Sequence, residues 1–249
     1  PGPVRFLWLL HDDSRPVGPR CLERLLDVKS NTPGADIIGV KQLDWDGSGL
    51  HSVGGYAYGH GMRSLVVDGE PDQQQYDDRQ DVFAVSLAGA LVPLTTLERF
   101  GGVDPWFGTF AEGNDFCRRV CLSGGRVVVA PGAAVAHRRA RFEGVRSMRG
   151  DPVDELSPLN TLNERLRSSR RYRYTDVPFQ WWPLLWVLDL FLSVFCAVLC
   201  LLRKHPYQAW CRISLPWRGW GDFPSAVGAR NRVSSQTNLV RSGLRMLHA

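Results

Sequence analysis

The chain has 249 residues, of which 44% are hydrophobic, and a formal net charge of +5 at pH 7. This length and composition allow one domain with a sizeable buried core. Six cysteines at irregular spacings, two of them inside an apolar segment, exclude a disulfide framework. The basic stretch at 138–173 has no recognised nucleic-acid-binding motif and leads into that apolar segment, so nucleic acid is not expected as a partner.

The first informative stretch is an apolar run that ends in His11, Asp12 and Asp13. It predicts a strand over about residues 4–10 that delivers acidic groups to the edge of a sheet. Adjacent carboxylates repel each other unless a cation or hydrogen bonds hold them ionised, and a divalent metal with a diphosphate ligand is one way to do so. The other interpretation, equally open at this point, is a turn that caps a helix predicted over about 19–28.

The middle of the chain alternates strand and helix signals, which favours a mixed α/β sheet. A polar stretch at 68–81 is expected to be a disordered surface loop, with a mobile lid over a ligand as the alternative. The other predicted elements are a strand at 36–40, a hairpin within 47–61, a strand at 82–85, and a short helix at 94–100 closed by Gly101 and Gly102.

A second acidic group opens a predicted helix about 100 residues after the first and includes Glu112 and Asp115. Gly124 or Gly125 ends this helix, a β-branched strand follows at 127–130, and His137 lies just beyond that strand. The two acidic groups together indicate a metal site at a strand end, a base at a helix N-terminus and a histidine able to complete the metal shell.

Through these residues the chain resembles the inverting family 2 glycosyltransferases, especially large membrane-attached enzymes of actinobacteria. The resemblance rests on four segments in the order of that family: 10–14, 88–107, 112–119 and 136–139. It implies an α/β fold of the GT-A type, a Rossmann-like nucleotide-diphospho-sugar transferase with a mixed sheet. Residues 1–150 would form the C-terminal part of this domain. The domain is expected to be incomplete at its N-terminus, because the family's first strands and nucleotide-base pocket precede the metal motif.

The resemblance implies a metal and an acceptor site. Asp13, with Asp12 and His137, would hold Mn²⁺ or Mg²⁺ against the diphosphate of a nucleotide sugar. The acceptor-binding positions implied by the family are Gly89, Trp106 and Phe107, although core packing is as plausible for the two aromatic residues.

The resemblance also implies a catalytic base, either Asp115 or Glu112. Two positions depart from the family. His11 stands where the Asp-x-Asp motif has its first aspartate, and Gly113 stands at the second position of the Glu-Asp-x-Asp motif.

A transmembrane helix is predicted at 181–203, because the residues from Trp181 to Leu202 contain a single charge, Asp189. Tryptophans at one end resemble an aromatic belt, and the aspartate would need a partner in lipid. A buried core helix is the alternative. Before this segment 151–180 is predicted to be a basic juxtamembrane linker, and after it 204–249 an interfacial tail that is partly disordered beyond about residue 224.

The expected function is transfer of a sugar, with inversion, from a nucleotide-diphosphate donor to a cell-envelope glycan or a polyprenyl-linked acceptor. The protein is expected at the cell membrane with its catalytic domain in the cytoplasm, where nucleotide sugars are made. A catalytically inactive glycan-binding module or membrane scaffold is the alternative, and Gly113 favours it. A metal phosphohydrolase fits less well, because its His-Asp pairs normally lie on helices.

Overall fold

The computed structural model describes residues 5–58, 61–64, 67, 69–108, 110–138, 161–218 and 222–236. The elements before residue 138 are, in chain order, β1 (Phe6–Trp8), β2 (Ser14–Pro16), α1 (Cys21–Asn31), β3 (Ala35–Leu43), β4 (Leu50–Ser52), β5 (Gly55–Tyr58), β6 (Gly61–Ser64), β7 (Leu91–Pro93), α2 (Leu94–Phe100), a 3₁₀ turn (Pro105–Phe107), α3 (Glu112–Leu122) and β8 (Arg126–His137). The expectations that involve 139–160 and 237–249 lie outside the described residues.

The main sheet has the strand order β1-β7-β3-β8-β2, with β4 also paired to β3. Strands β3 and β8 are parallel, and the other pairs in this sheet are antiparallel. Strand β3 is central because almost every residue in it is buried, as expected for a strand covered on both faces. The expected mixed α/β sheet is therefore confirmed, and the predicted hairpin at 47–61 corresponds to β4 and the β5-β6 pair.

Helices cover both faces of this sheet. On one face Cys21 and Leu25 of α1 pack against Ile38 and Val128. On the other face Phe116 of α3 belongs to a second buried cluster formed with α2, β3 and β8. The two helices therefore shield both faces of the sheet from water.

The predicted strand at 82–85 is wrong as an element, because these residues form only one isolated bridge, Ala84 with Gly55, and Asp81 just before them forms another with Val128. The segment crosses the face of the sheet. A Cβ atom on Gly39 would lie 2.4 Å from the Cβ atom of Val85, so the glycine lets this crossing chain lie directly on β3.

Residues 69–81 of the polar stretch, which was expected to be disordered, are anchored to the sheet by a buried lysine. Lys41 of β3 is 3% exposed. Its Nζ atom lies 3.0 Å from Asp72 Oδ1 and 2.5 Å from Asp77 Oδ1. Two carboxylates around one buried ammonium compensate for its desolvation and fix the base of this loop.

The C-terminal region is helical where a linker and a disordered tail were expected. Its helices are α4 (Leu162–Asp176), α5 (Trp182–Leu202), α6 (Pro206–Arg218) and α7 (Phe223–Gln236), with a 3₁₀ turn at Phe179–Trp181 before α5. The expected disorder after residue 224 is thus corrected as far as Gln236. Residues Phe179–Leu202 form a helical segment that is long and apolar enough to cross a membrane.

Helices α5 and α6 form an antiparallel hairpin. At its open end the indole N–H of Trp186 donates to the carbonyl of Pro216 at 3.1 Å, and the Trp186 and Trp217 rings lie 5.6 Å apart. At its closed end the His205 N–H donates to the Cys200 carbonyl at 2.8 Å. The open end lies against α4, because Arg170 of α4 donates to Asp189 of α5 and to the Leu215 carbonyl of α6.

Asp189 has its charge partners inside this chain. It is 5% exposed and accepts hydrogen bonds from Arg170 at 3.0 Å and from Arg173 at 2.6 Å, both on α4. The partner that an acidic residue in an apolar helix requires is thus provided by the preceding basic helix.

Candidate metal and catalytic site

A tight turn between β1 and β2 positions the first candidate ligands. The Ser14 backbone N–H donates to the His11 carbonyl at 3.1 Å, and the Ser14 hydroxyl donates to the same carbonyl at 2.8 Å. The hydroxyl oxygen also accepts from the His11 N–H at 2.9 Å. This closed turn fixes the backbone of Asp13, whose carbonyl accepts from Arg138 at 2.9 Å.

Strand pairing brings the distant histidine to this turn. Ser14 of β2 pairs with His137 of β8 in antiparallel register. His137 Nε2 lies 3.2 Å from Asp13 Oδ1. Ligand atoms of His11, Asp13 and His137 all lie within 4.8 Å of one another. The ring of His51, on β4, is 6.2 Å from that of His137.

The environment of His137 suits a metal ligand. Its side chain is 14% exposed. Burial lowers the pKa of His137, the Asp13 carboxylate opposes this, and His11 and His51 lower the pKa further. The ring is therefore neutral near pH 7, which is the form that binds a metal. Its Nδ1 atom is buried without a hydrogen-bond partner in the described part of the chain, and a neutral imidazole nitrogen without a partner can become a ligand.

The structure changes one member of the predicted metal set. Asp13 and His137 come together as the sequence interpretation required. Asp12, however, is exposed and lies outside the cluster, which contains His11 in its place. The signal that could have identified His11 is its position two residues before Asp13, in the slot where the family has its first aspartate.

The candidate bases occupy different environments at the start of α3. Glu112 is half-exposed in the first turn of the helix, and its N–H donates to the Gly108 carbonyl at 3.1 Å. Asp115 is 1% exposed, and its two oxygens accept from Arg118 at 3.0 Å and Arg119 at 2.8 Å. The geometry argues against Asp115 as the base, because both oxygens are already bonded inside the protein.

The two arginines extend the Asp115 cluster into the helical region. Arg118 donates to Thr175 Oγ1 at 2.7 Å and also pairs with Asp176, which joins α3 to the end of α4. Arg119 donates to the Phe100 carbonyl at 2.6 Å and to Gln236 Oε1 at 2.9 Å. Asp115 therefore holds α3 against α2, α4 and α7.

The glycine that departs from the family motif lies in a close contact. A Cβ atom on Gly113 would be 3.1 Å from Leu87 Cγ and 3.8 Å from the Val85 carbonyl. The N-terminus of α3 thus approaches the crossing segment closely, and a larger residue at 113 would require Leu87 to shift.

Of the three predicted acceptor residues, two are packing residues. Gly89 is buried with φ +102°, and a Cβ atom there would lie 2.5 Å from Val40 Cγ2. Phe107 is fully buried against Ala111, Tyr172 and Ala229. Trp106 is half-buried and lines a cavity between the sheet domain and the C-terminal helices.

The chain matches the family model described as glycosyl transferase family group 2 over residues 6–218. Thirty-nine chains of solved structure are similar to it, among them the crystal structure of GalNAc-T7 with UDP, GalNAc and Mn²⁺. That similarity has 13% sequence identity and a TM-score of 0.41, and it covers 68% of this chain and 33% of the GalNAc-T7 chain. No curated protein matches the chain. The family match confirms the predicted resemblance and the α/β fold that it implied. This chain belongs to glycosyl transferase family group 2.

Proposed function

We propose that this chain transfers a sugar from a nucleotide-diphosphate donor to an acceptor hydroxyl with inversion of the anomeric centre. Sugar transfer in general follows from the family. The observation that carries the more specific proposal is the cluster of His11, Asp13 and His137, a group of three possible metal ligands at converging strand ends. A divalent metal held by these residues would offset the charge that develops on the leaving diphosphate.

The composition of the cluster favours Mn²⁺ over Mg²⁺. Mg²⁺ prefers oxygen ligands in a regular octahedron and binds through carboxylates and water. Two imidazoles and one carboxylate instead suit a softer ion, since imidazole is a better ligand for transition metals. The exchange of the family's first aspartate for His11 therefore supports Mn²⁺ as the cofactor.

Glu112 is the proposed general base. It lies in the first turn of α3 and, unlike Asp115, is not fully buried. Glu112 takes the proton from an acceptor hydroxyl as that oxygen bonds to the anomeric carbon, while the bond from this carbon to the diphosphate breaks. Attack on the face opposite the leaving group inverts the configuration. Asp115 has a positioning role, because it fixes the helix that carries Glu112.

The proposed location is the cell membrane, with the catalytic residues on the cytoplasmic side. Many large apolar side chains of α5 are exposed, including Phe191 at 70% and Phe195 at 61%, as suits contact with lipid. The open end of the α5–α6 hairpin lies against α4, and α4 contacts the catalytic domain through Arg118. This supports a location of the basic helix α4 and the catalytic domain on the same side of the membrane. A cell-envelope glycan or polyprenyl-linked sugar is the proposed acceptor class.

The test uses two adjacent aspartates as a matched pair. The purified full chain is assayed for Mn²⁺-dependent release of nucleoside diphosphate from UDP-, GDP- and dTDP-sugars. Asp13→Asn should lower turnover at least about 100-fold and weaken the Mn²⁺-induced rise in melting temperature. Asp12→Asn, at an exposed position outside the cluster, should retain the turnover and the Mn²⁺-induced rise in melting temperature of the unsubstituted chain. Equal behaviour of the two variants would refute the metal site.

The alternative of an inactive glycan-binding module makes a different prediction in this assay. It requires that no nucleotide sugar be consumed with any metal, although a glycan or lipid-linked sugar still binds. Mn²⁺-dependent hydrolysis of a single nucleotide sugar, lost in Asp13→Asn, contradicts that alternative.

A further inference from the structure

A cavity of about 560 Å³ lies where the catalytic domain meets the C-terminal helices. It is bounded by α4, the first turns of α5, the end of α6, the start of α7 and the 3₁₀ turn at Pro105–Phe107. Its size falls within the range of about 300–1,000 Å³ that is usual for small-molecule sites. Six aromatic side chains line it: Trp106, Tyr174, Phe179, Trp182, Trp186 and Phe223.

The cavity is continuous with the exposed apolar face of α5. Val187 lines the cavity and is 41% exposed. On the same helix, Leu184, three residues before Val187, and Leu188, directly after it, are 61% and 51% exposed, and neither lines the cavity. A hydrocarbon chain could therefore pass from a lipid environment along α5 into the cavity without crossing a polar surface.

The cavity is also surrounded by an excess of positive charge. Its charged lining residues are four arginines and one aspartate: Arg167, Arg170, Arg171, Arg218 and Asp222. Asp222 accepts from Arg167 at 3.0 Å and from Arg171 at 2.7 Å, so one carboxylate serves two guanidinium groups. The two guanidinium groups and the one carboxylate together retain a net positive charge that an anion can neutralise.

Arg218 adds a cation with a neutral hydrogen-bond partner. Its side chain is exposed, and Nη1 donates to the amide oxygen of Asn163 at 2.9 Å. An apolar cavity with guanidinium groups at its rim matches a phosphate attached to a hydrocarbon chain. The guanidinium groups bind the phosphate, and the cavity binds the hydrocarbon chain.

A buried donor within the cavity wall also lacks a partner. The indole N–H of Trp106 is buried and makes no hydrogen bond to any residue that the structure describes. A buried donor normally has an acceptor, and a polar group of a ligand could supply one here. Trp106 belongs to the segment that leads into α3, where the Glu112 N–H donates to the Gly108 carbonyl. A polar group bound at Trp106 would thus lie beside the segment that carries the proposed base.

We propose that this cavity binds the isoprenoid chain of a polyprenyl-phosphate-linked sugar, whose sugar hydroxyl is the acceptor, with the phosphate at the arginine-rich rim. The inference rests on the proposed function, since it names the acceptor class of the same site. The contact of the cavity with Trp106 places the acceptor end of such a lipid toward α3.

The test measures binding of farnesyl phosphate to the detergent-purified full chain by calorimetry, without donor or metal. Farnesol and inorganic phosphate are the two part-ligands, and both should bind at least about tenfold more weakly. Val187→Trp narrows the cavity, and Val194→Trp is its control, since Val194 is also 41% exposed on α5 but does not line the cavity. Val187→Trp should weaken binding at least about tenfold, and Val194→Trp less than about twofold.

The phosphate contact is tested by a second pair of variants. Arg218→Gln should weaken farnesyl phosphate but not farnesol, whereas Arg203→Gln, an exposed arginine at the far end of α5, should change neither. Equal affinity in Val187→Trp and Val194→Trp would overturn the proposal. So would displacement of farnesyl phosphate by an equal concentration of phosphatidylglycerol, because the site would then be a phospholipid contact.

Failure of this proposal is distinguishable from failure of the proposed function. Asp13→Asn should leave farnesyl phosphate binding unchanged, because binding is measured without metal or donor. Loss of Mn²⁺-dependent turnover in Asp13→Asn together with unaltered binding in Val187→Trp removes the cavity inference alone.

Discussion

The assignment of Glu112 rather than Asp115 as the base predicts opposite effects of two conservative substitutions. Asp115 is 1% exposed and accepts from Arg118 at 3.0 Å and Arg119 at 2.8 Å. Asp115→Asn keeps the shape but leaves the buried Arg119 without its carboxylate partner and Arg118 with Asp176 alone. Breaking a buried ion pair costs about 3–5 kcal/mol. For a domain of this size each kcal/mol lowers the melting temperature by about 2–4 °C, so we expect a fall of at least about 6 °C.

Glu112→Gln should have the reverse profile. The side chain is half-exposed in the first turn of α3, so its substitution should move the melting temperature by less than about 2 °C. A positioned general base contributes about 10²–10⁴ to the rate, and we expect turnover to fall by at least 100-fold. The measurements are thermal unfolding by circular dichroism and Mn²⁺-dependent transfer at a temperature where both variants are folded.

The refuting result is specific. If Asp115→Asn melts like the wild type and loses turnover, while Glu112→Gln remains active, Asp115 is the base and the buried ion-pair argument is wrong. A loss of both properties in Asp115→Asn is consistent with the positioning role, provided that Glu112→Gln loses turnover alone.

Three further predictions follow from single residues. His11→Asp restores an oxygen ligand, so the metal that gives the greatest turnover should shift from Mn²⁺ toward Mg²⁺; an unchanged Mn²⁺ to Mg²⁺ ratio would show that His11 is not a ligand. Lys41→Met removes the ammonium group between Asp72 and Asp77, so limited proteolysis within 70–80 should become faster; an unchanged cleavage rate would mean that the loop is held by other contacts. Burial raises the pKa of Cys117 to about 12, so its thiol should resist iodoacetamide at pH 8 until urea unfolds the chain, and rapid labelling of the folded protein would contradict the packing of α3.

The sequence predicted those elements whose signals are local. The helix at 94–100 has the predicted bounds, and Gly101 after it has φ +66°, the left-handed conformation that ends helices. The strand at 82–85 was predicted wrongly because a short apolar run has the same pattern whether it joins a sheet or crosses its face. Only the contact of Val85 with Gly39 distinguishes the two, and that contact is tertiary.

The part of the candidate site that lies at strand ends could be predicted from the sequence, because the ends of the strands could be predicted. Asp13 lies in the turn after β1 and His137 is the last residue of β8, and the antiparallel register of Ser14 with His137 brings them together. The choice of His11 over Asp12 depends on the turn that the Ser14 hydroxyl closes, because this turn decides which side chains face β8. Adjacent residues of the same sequence motif can thus differ completely in exposure.

The acidic residues of α3 and α5 show which ion pairs could have been predicted from the sequence and which could not. Asp115 has arginines three and four residues later, a spacing that places them on the same helix face and could have identified an internal ion pair from sequence. Glu112 has Asp115 and Phe116 at those spacings, so no cation of its own helix neutralises it from that side. Asp189 has no cation at three or four residues in either direction, and its partners lie on another helix, at positions 170 and 173. Local spacing therefore separates the structural acid of α3 from the catalytic candidate, whereas the partners of Asp189 required the packing of α4 against α5.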